Sequence, residues 1–198
     1  MTRLRLPEGV TLVLASKSPR RKELLKEMGL EYTSMVADIS ETFPAMMHPR
    51  EAVRFLAEKK ARAVAEVAGP RAIVLASDTL VEVDGEPLGK PRDEKDASAM
   101  LWRLSGRHHN VHTGVCVVWG DKMLSETDTT DVFFHPLDQA DIDAYIATGE
   151  PLDKAGAYGI QGKGGKFVSH INGHLDTVIG LPCQMVEELL LRILPNQD

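Results

Sequence analysis

The stretch T-L-V-L-A-S-K-S-P-R-R, Thr11 to Arg21, decides the architecture. Its first five residues form an apolar run of strand length. Ser18-Pro19 then opens a helix, because a serine hydroxyl can cap the first free amides and proline is pre-shaped for the first helical position. Leu24, Leu25 and Met28 carry the apolar face of that helix and Gly29 ends it. Strand, turn and helix in this order predict an α/β protein, and the carboxyl end of the strand is where such sheets place ligands.

Working outward, Leu30 to Val36 reads as a second strand, followed by an acidic loop with Asp38 and Glu41. Pro49 to about Ala68 has the length and spacing of a helix. Ala72 to Ser77 (A-I-V-L-A-S) is the continuous apolar run of a strand covered on both faces, with Asp78 at its end. Leu80 to Val83 is strand-like up to the turn at Asp84-Gly85, a helix is predicted from Asp93 to Ser105, and strands at Val111–Trp119, Met123–Asp128 and Asp131–His135. Gln139 to Thr148 reads as a helix. Asn172-Gly173, between strand-like Lys166–Ile171 and His174–Ile179, predicts a two-residue hairpin. Pro182 to Leu194 closes as an amphipathic helix whose Met and Leu stripe belongs to the core. The fold class is therefore α/β, a mixed twisted sheet with flanking helices, and residues 1–198 are expected to form a single domain.

Composition narrows the function. Hydrophobic residues at 43% and charged residues at 26% exclude a disordered or fibrous chain. A formal net charge of -6 and only 5% aromatic residues argue against stable nucleic-acid binding, so any basic site must be local. Cys116 and Cys183 lie in apolar surroundings that suit reduced, buried thiols. No stretch approaches the roughly 18 apolar residues of a membrane helix and no signal peptide is apparent, so a cytoplasmic protein is expected.

Four groups of residues carry chemistry. At Ala15 to Arg21 the helix start favours an anion, and Ser16, Ser18, Arg20 and Arg21 add hydroxyls and bidentate cations suited to phosphate; the alternative is an ordinary capped helix with solvated cations. Lys60 lands on the apolar stripe made by Val53, Leu56, Ala57, Ala61 and Val64, where it must snorkel to solvent or meet a phosphate or carboxylate. Asp78, within S-D-T at 77 to 79, is a ligand-binding candidate by its place on the sheet, and Glu41 could add a second carboxylate for a hard cation such as Mg²⁺. Either could instead be a solvated or capping acid. Lys90, in L-G-K-P-R, is a second phosphate contact or a solvated charge. In D-K-A-G-A-Y-G-I-Q-G, Asp153 to Gly162, the glycines allow close approach to a ligand, Tyr158 can stack and Gln161 can hydrogen-bond a base edge, unless this is only an exposed loop. His109 and His112 are an odd number of positions apart on a predicted strand and so face opposite sides, against a histidine metal site.

These motifs resemble the Maf family of nucleoside triphosphate pyrophosphatases, which are related in fold to the inosine triphosphate pyrophosphatases. The resemblance runs through L-A-S-K-S-P-R-R-K-E-L-L at 14 to 25, the Glu41 loop, A-E-K-K-A-R-A at 57 to 63, S-D-T-L-V at 77 to 81, G-K-P-R-D at 89 to 93, L-S-G at 104 to 106, H-T-G-V at 112 to 115 and the 153 to 162 loop. It implies two lobes around a cleft, a homodimer, and hydrolysis of a nucleoside triphosphate to monophosphate and pyrophosphate with a divalent cation, Mg²⁺ or Mn²⁺. It also implies Asp78 as proton acceptor, with Ser16, Arg21, Glu41, Lys60 and Lys90 in the site. Asp78 and Glu41 are the metal ligands it suggests, and their roles could be exchanged. Arg20, Thr79 and Gln161 follow the subgroup acting on dTTP and UTP. A sister subgroup acting on N7-methyl-GTP differs at all three. Ser77 stands where many pyrimidine-directed members have Ala. A nucleotide-binding regulator of cell division is the reading from another class.

Overall fold

A computed structural model describes residues 4–195. The chain runs β1 (Thr11–Leu14), α1 (Pro19–Glu27), β2 (Thr33–Ser34), α2 (Pro49–Ala68), β3 (Ala72–Val83), β4 (Glu86–Leu88), α3 (Glu94–Leu104), β5 (His108–Trp119), β6 (Lys122–Phe134), α4 (Gln139–Ile146), three short 3₁₀ turns, β7 (Val168–Asn172), α5 (Leu175–Ile179) and α6 (Cys183–Ile193). The seven strands make one mixed sheet in the order β2-β1-β3-β5-β6-β7, with β4 on β3. β2 and β3 flank β1 in parallel, and every other pairing is antiparallel. No helix among the described residues is long and apolar enough to cross a membrane.

The alternation along β3 explains how the layers form. Ile73 and Leu75 join Leu12, Leu14, Leu25, Leu189 and Leu190 in a cluster with α1 and α6. The intervening Ala72, Val74 and Ala76 join Ala57, Ala61 and Val64 of α2 on the opposite face. Small residues there let α2 sit close to the sheet. The closest approach is at Gly114 of β5, where an added Cβ would run into the Val53 carbonyl and lie 2.5 Å from Arg54 N. Farther along the sheet a third cluster, with Leu101, Leu104, Phe134, Ile142, Tyr145 and Phe167, packs α3 and α4. The cleft lies between this body and the other two clusters, which is the two-lobed form expected.

Several expected boundaries move. Ala72–Ser77 and Leu80–Val83 are one twelve-residue strand, so Asp78 lies within β3 rather than at its end. Met123–Asp128 and Asp131–His135 likewise merge into β6, because both long strands are paired along their length with β5. Leu30–Val36 shrinks to the two residues of β2. The Asn172-Gly173 hairpin does not form. Gly173 takes φ 129° against Thr130, whose hydroxyl accepts from His174 N at 2.8 Å and donates to His174 O at 2.9 Å. That tether turns the chain off the sheet into α5, overriding the local turn signal. Cys116 is buried as expected, whereas Cys183 is half-buried; both are free thiols.

Because nothing near Gly114 except the α2 backbone can yield, Gly114→Ala is expected to lower stability by about 1–3 kcal/mol through overpacking. Thermal unfolding should then fall by several degrees for a chain of this size; an unchanged midpoint would contradict this packing.

Candidate functional site

β1 ends at Leu14, opposite Leu75, and Ala15 N donates to Leu75 O at 2.8 Å as the last bond of that ladder. β3 continues for eight residues and is next paired on the strands' other partner only from Val81, by β4. The stretch between is an open sheet margin. Asp78 therefore still lies beyond the carboxyl end of the parallel strand, as the α/β rule requires, although its own strand does not stop there. A cleft of about 1200 Å³ opens over this margin, lined by the α1 start, the Glu41 loop, Lys60, Asp78, Thr79, Lys90 and the 153–162 loop.

The parity that sends Val74 and Ala76 toward α2 sends Asp78 the same way, and Lys60 is the α2 residue that meets it. Lys60 Nζ is 2.5 Å from Asp78 Oδ1 and 2.8 Å from Glu41 Oε1. Of the two alternatives for Lys60, the pairing with carboxylates is realised; its side chain is only 15% exposed. Lys59 Nζ donates to Ser40 O at 2.6 Å, which ties the Glu41 loop to the same helix. Burial raises the Asp78 carboxyl above the usual range despite the opposing charges of Lys60 and Arg21. Glu41, at the mouth, is held below the usual range chiefly by its hydrogen bond from Lys60.

On the other face of β3 a second arrangement fixes Arg21. Ser18 caps α1, its hydroxyl facing Arg21 N. Arg21 Nε donates to Gly180 O at 2.9 Å and Nη2 to Thr79 Oγ1 at 3.2 Å, while Nη1 lies 3.5 Å from Ser16 Oγ. Thr113 donates its own proton to Thr177 O, so at the 2.9 Å contact with Thr79 it must accept. The hydroxyls thus run in one direction and leave Thr79 an acceptor for Arg21. Ser77 Oγ also donates to Gly180 O, at 3.0 Å, giving that carbonyl two donors. Gly180 and Thr113 were not legible as site residues, since their contacts span up to 159 positions of sequence.

Arg20, Lys90 and Gln161 all line the cleft. Arg20 acts electrostatically on Asp153 across it, and Lys90 on Glu41. The Lys90 segment is pinned to the glycine loop by Gly156 N, which donates to Gly89 O at 3.1 Å. Gly156 needs to be glycine twice over, having φ 68° and its absent Cβ only 2.9 Å from Val81 Cγ2. Tyr158 departs from expectation. Although it borders the cleft, its ring is buried edge-on against Phe134 and His109, and its hydroxyl is 2.7 Å from His109 Nε2, so it offers no stacking platform. His109 and His112 do face opposite sides, His112 meeting Glu82 and Thr129. Among the described residues no group of three or more His, Cys, Asp or Glu could by itself hold a metal ion.

Fold and cleft define an α/β protein with an anion-directed pocket built around a buried, cation-clamped carboxylate. The chain belongs to the Maf family: the model of that family, described as Maf-like protein, matches residues 11–193. A protein named dTTP/UTP pyrophosphatase from Symbiobacterium thermophilum is 49% identical over 179 residues, 90% of this chain and 92% of its own. One of the same name from Bacillus pumilus is 48% identical over 171 residues, 86% of this chain and 90% of its own. Among solved structures, a HAM1 protein from Coxiella burnetii shares the fold, with a TM-score of 0.50 at 15% identity over 93% of this chain and 98% of that one.

A carbon-13 NMR titration of the side-chain carboxyls checks the electrostatics. Asp78 should titrate above, and Glu41 below, their usual values. Lys60→Met should raise both midpoints by removing the positive charge each feels; a fall in either would contradict the clamp.

Proposed function

We propose that this protein is a nucleoside triphosphate pyrophosphatase that hydrolyses dTTP and UTP between the α and β phosphates, releasing the monophosphate and pyrophosphate. The observation that carries this reading is the Lys60-clamped Asp78 facing Arg21 and Lys90 across one cleft. The relatives at 48–49% identity bear the same activity in their names. Arg20, Thr79 and Gln161, the residues that distinguish the pyrimidine-directed subgroup, line that cleft.

The chain's own groups divide the work. Ser16, Arg21 and the amides at the start of α1 bind phosphate oxygens, and Lys90 approaches from the opposite wall. Asp78 orients the attacking water and accepts its proton; the burial that raises its pKa makes it a stronger base than a surface aspartate, and Lys60 fixes its orientation. Two oxygen-donor carboxylates fit Mg²⁺ or Mn²⁺, which commonly take one or two carboxylates and complete their shell from substrate phosphates and water. Asp78 and Glu41 would hold the ion, and when bound it supplies neutralisation of charge on the triphosphate. Gln161 meets the base edge. A cytoplasmic setting, in keeping with two free cysteines, and a homodimer complete the reading.

The test is pyrophosphate release from dTTP, UTP, CTP and N7-methyl-GTP with Mg²⁺ or Mn²⁺. Turnover of dTTP and UTP is expected, and its absence rules the assignment out. Asp78→Asn should lower kcat by about 10²–10⁴ with much less effect on nucleotide affinity. Because the base works only when ionised, activity should fall as the pH drops through the raised pKa of Asp78, placing the acid limb of kcat/KM above the ordinary aspartate range.

A further inference from the structure

The loop that carries Gln161 is not free. Its amides converge on one carboxylate outside the reacting centre. Glu150 Oε2 accepts from Lys163 N at 3.0 Å, and Oε1 accepts from Gly164 N at 3.3 Å and from the Tyr145 hydroxyl at 2.8 Å. The same hydroxyl accepts from Gly159 N at 3.1 Å, so Tyr145 and Glu150 hold both arms of the loop, two residues to either side of Gln161. Tyr145 is itself packed into the core, 1% exposed and edge-on against Phe167 at 5.0 Å.

Two of the loop's glycines, Gly162 and Gly164, are shaped to this clasp. None of Gly159, Gly162, Gly164 and Gly165 has positive φ, so backbone freedom does not explain them. Space does. A Cβ at Gly162 would strike the Glu150 carboxylate, one at Gly164 would lie 2.6 Å from the Tyr145 hydroxyl, one at Gly159 2.6 Å from Lys154 Cε, and one at Gly165 would strike Ile160 O. Burial works against the Glu150 charge, but the donated hydrogen bonds outweigh it and keep the carboxyl below its usual range.

We infer that Glu150, through Tyr145 and the 159–164 amides, is the positioning residue that sets Gln161 against the substrate's base, and so a determinant of base selectivity. This rests on the pyrimidine nucleotide reading above. Glu150 is not among the residues lining the cleft, whereas Gln161 is, so its influence passes through Gln161.

The experiment is a double-mutant cycle on affinity for the non-cleavable analogue α,β-imido-UTP with Mg²⁺, using wild type, Glu150→Gln, Gln161→Ala and the double variant. Inorganic tripolyphosphate serves as a probe without a base. Each single substitution should weaken the analogue by about 3–10-fold, the worth of one hydrogen bond. The double variant should be no weaker than Gln161→Ala alone, and tripolyphosphate affinity should stay unchanged. Losses that multiply in the double variant, or a parallel loss of tripolyphosphate, overturn the inference, since a merely structural role would damage both ligands. Should Glu150→Gln not fold, Tyr145→Phe removes only the hydroxyl and carries the same cycle. Failure of the functional reading is seen separately: wild type would bind the analogue no better than tripolyphosphate, or bind it well and yet release no pyrophosphate from UTP.

Discussion

The contact between Lys60 and Asp78 is the constraint on which the rest depends. A carboxylate and an ammonium this buried each face a desolvation penalty, and the pair is tolerable because its geometry is tight and Glu41 accepts a second hydrogen bond from the ammonium. Replacing a buried ion pair by apolar residues of similar volume is often neutral or stabilising, so packing alone does not call for this one. The ion pair leaves a buried aspartate whose carboxyl is pushed up by burial while Lys60 and Arg21 oppose the rise. That is the condition a general base needs, and it follows from a helix register and a strand parity rather than from any flexible loop.

The second support is the hydrogen-bonded chain from Arg21 through Thr79 and Thr113 to Thr177 O. Its direction is fixed because the last hydroxyl is committed to a carbonyl. Thr79, which the family resemblance associates with base choice, therefore makes its observed side-chain contacts with Arg21 and Thr113. The two arrangements are mechanically joined at β3: Asp78 faces α2 on one side, and its neighbours Ser77 and Thr79 face Gly180 and Arg21 on the other.

Much of this was legible in the residues, and the exceptions have physical causes. Thr11 to Arg21 announced its strand, cap and helix because each signal is local. Lys60 was identifiable because a lone cation on an apolar helix stripe must snorkel to solvent or find a partner, although the wheel alone could not say which. The hairpin at Asn172-Gly173 failed because one distant hydroxyl, Thr130, outweighed a dipeptide's turn preference. Asp78 was placed at a strand end because an acid in an apolar run reads as a stop; β5 pairs across it and carries the strand onward. Tyr158 read as a stacking ring because sequence shows an aromatic beside glycines, not the Phe134 and His109 that enclose it. Gly180 and Glu150 gave no signal, since a backbone carbonyl or a surface-looking acid takes its meaning from what folds against it.

Charge gives the last step. The chain as a whole is acidic, at -6, yet the cleft is lined by six cations, Lys17, Arg20, Arg21, Lys60, Lys90 and Lys154, and four carboxylates, Asp38, Glu41, Asp78 and Asp153. The surplus of two positive charges inside a negative surround concentrates the field on the pocket and repels anions elsewhere. A free triphosphate, with about four negative charges, would leave the pocket overfilled with negative charge. The same triphosphate escorted by one divalent cation carries about two, which would match the surplus.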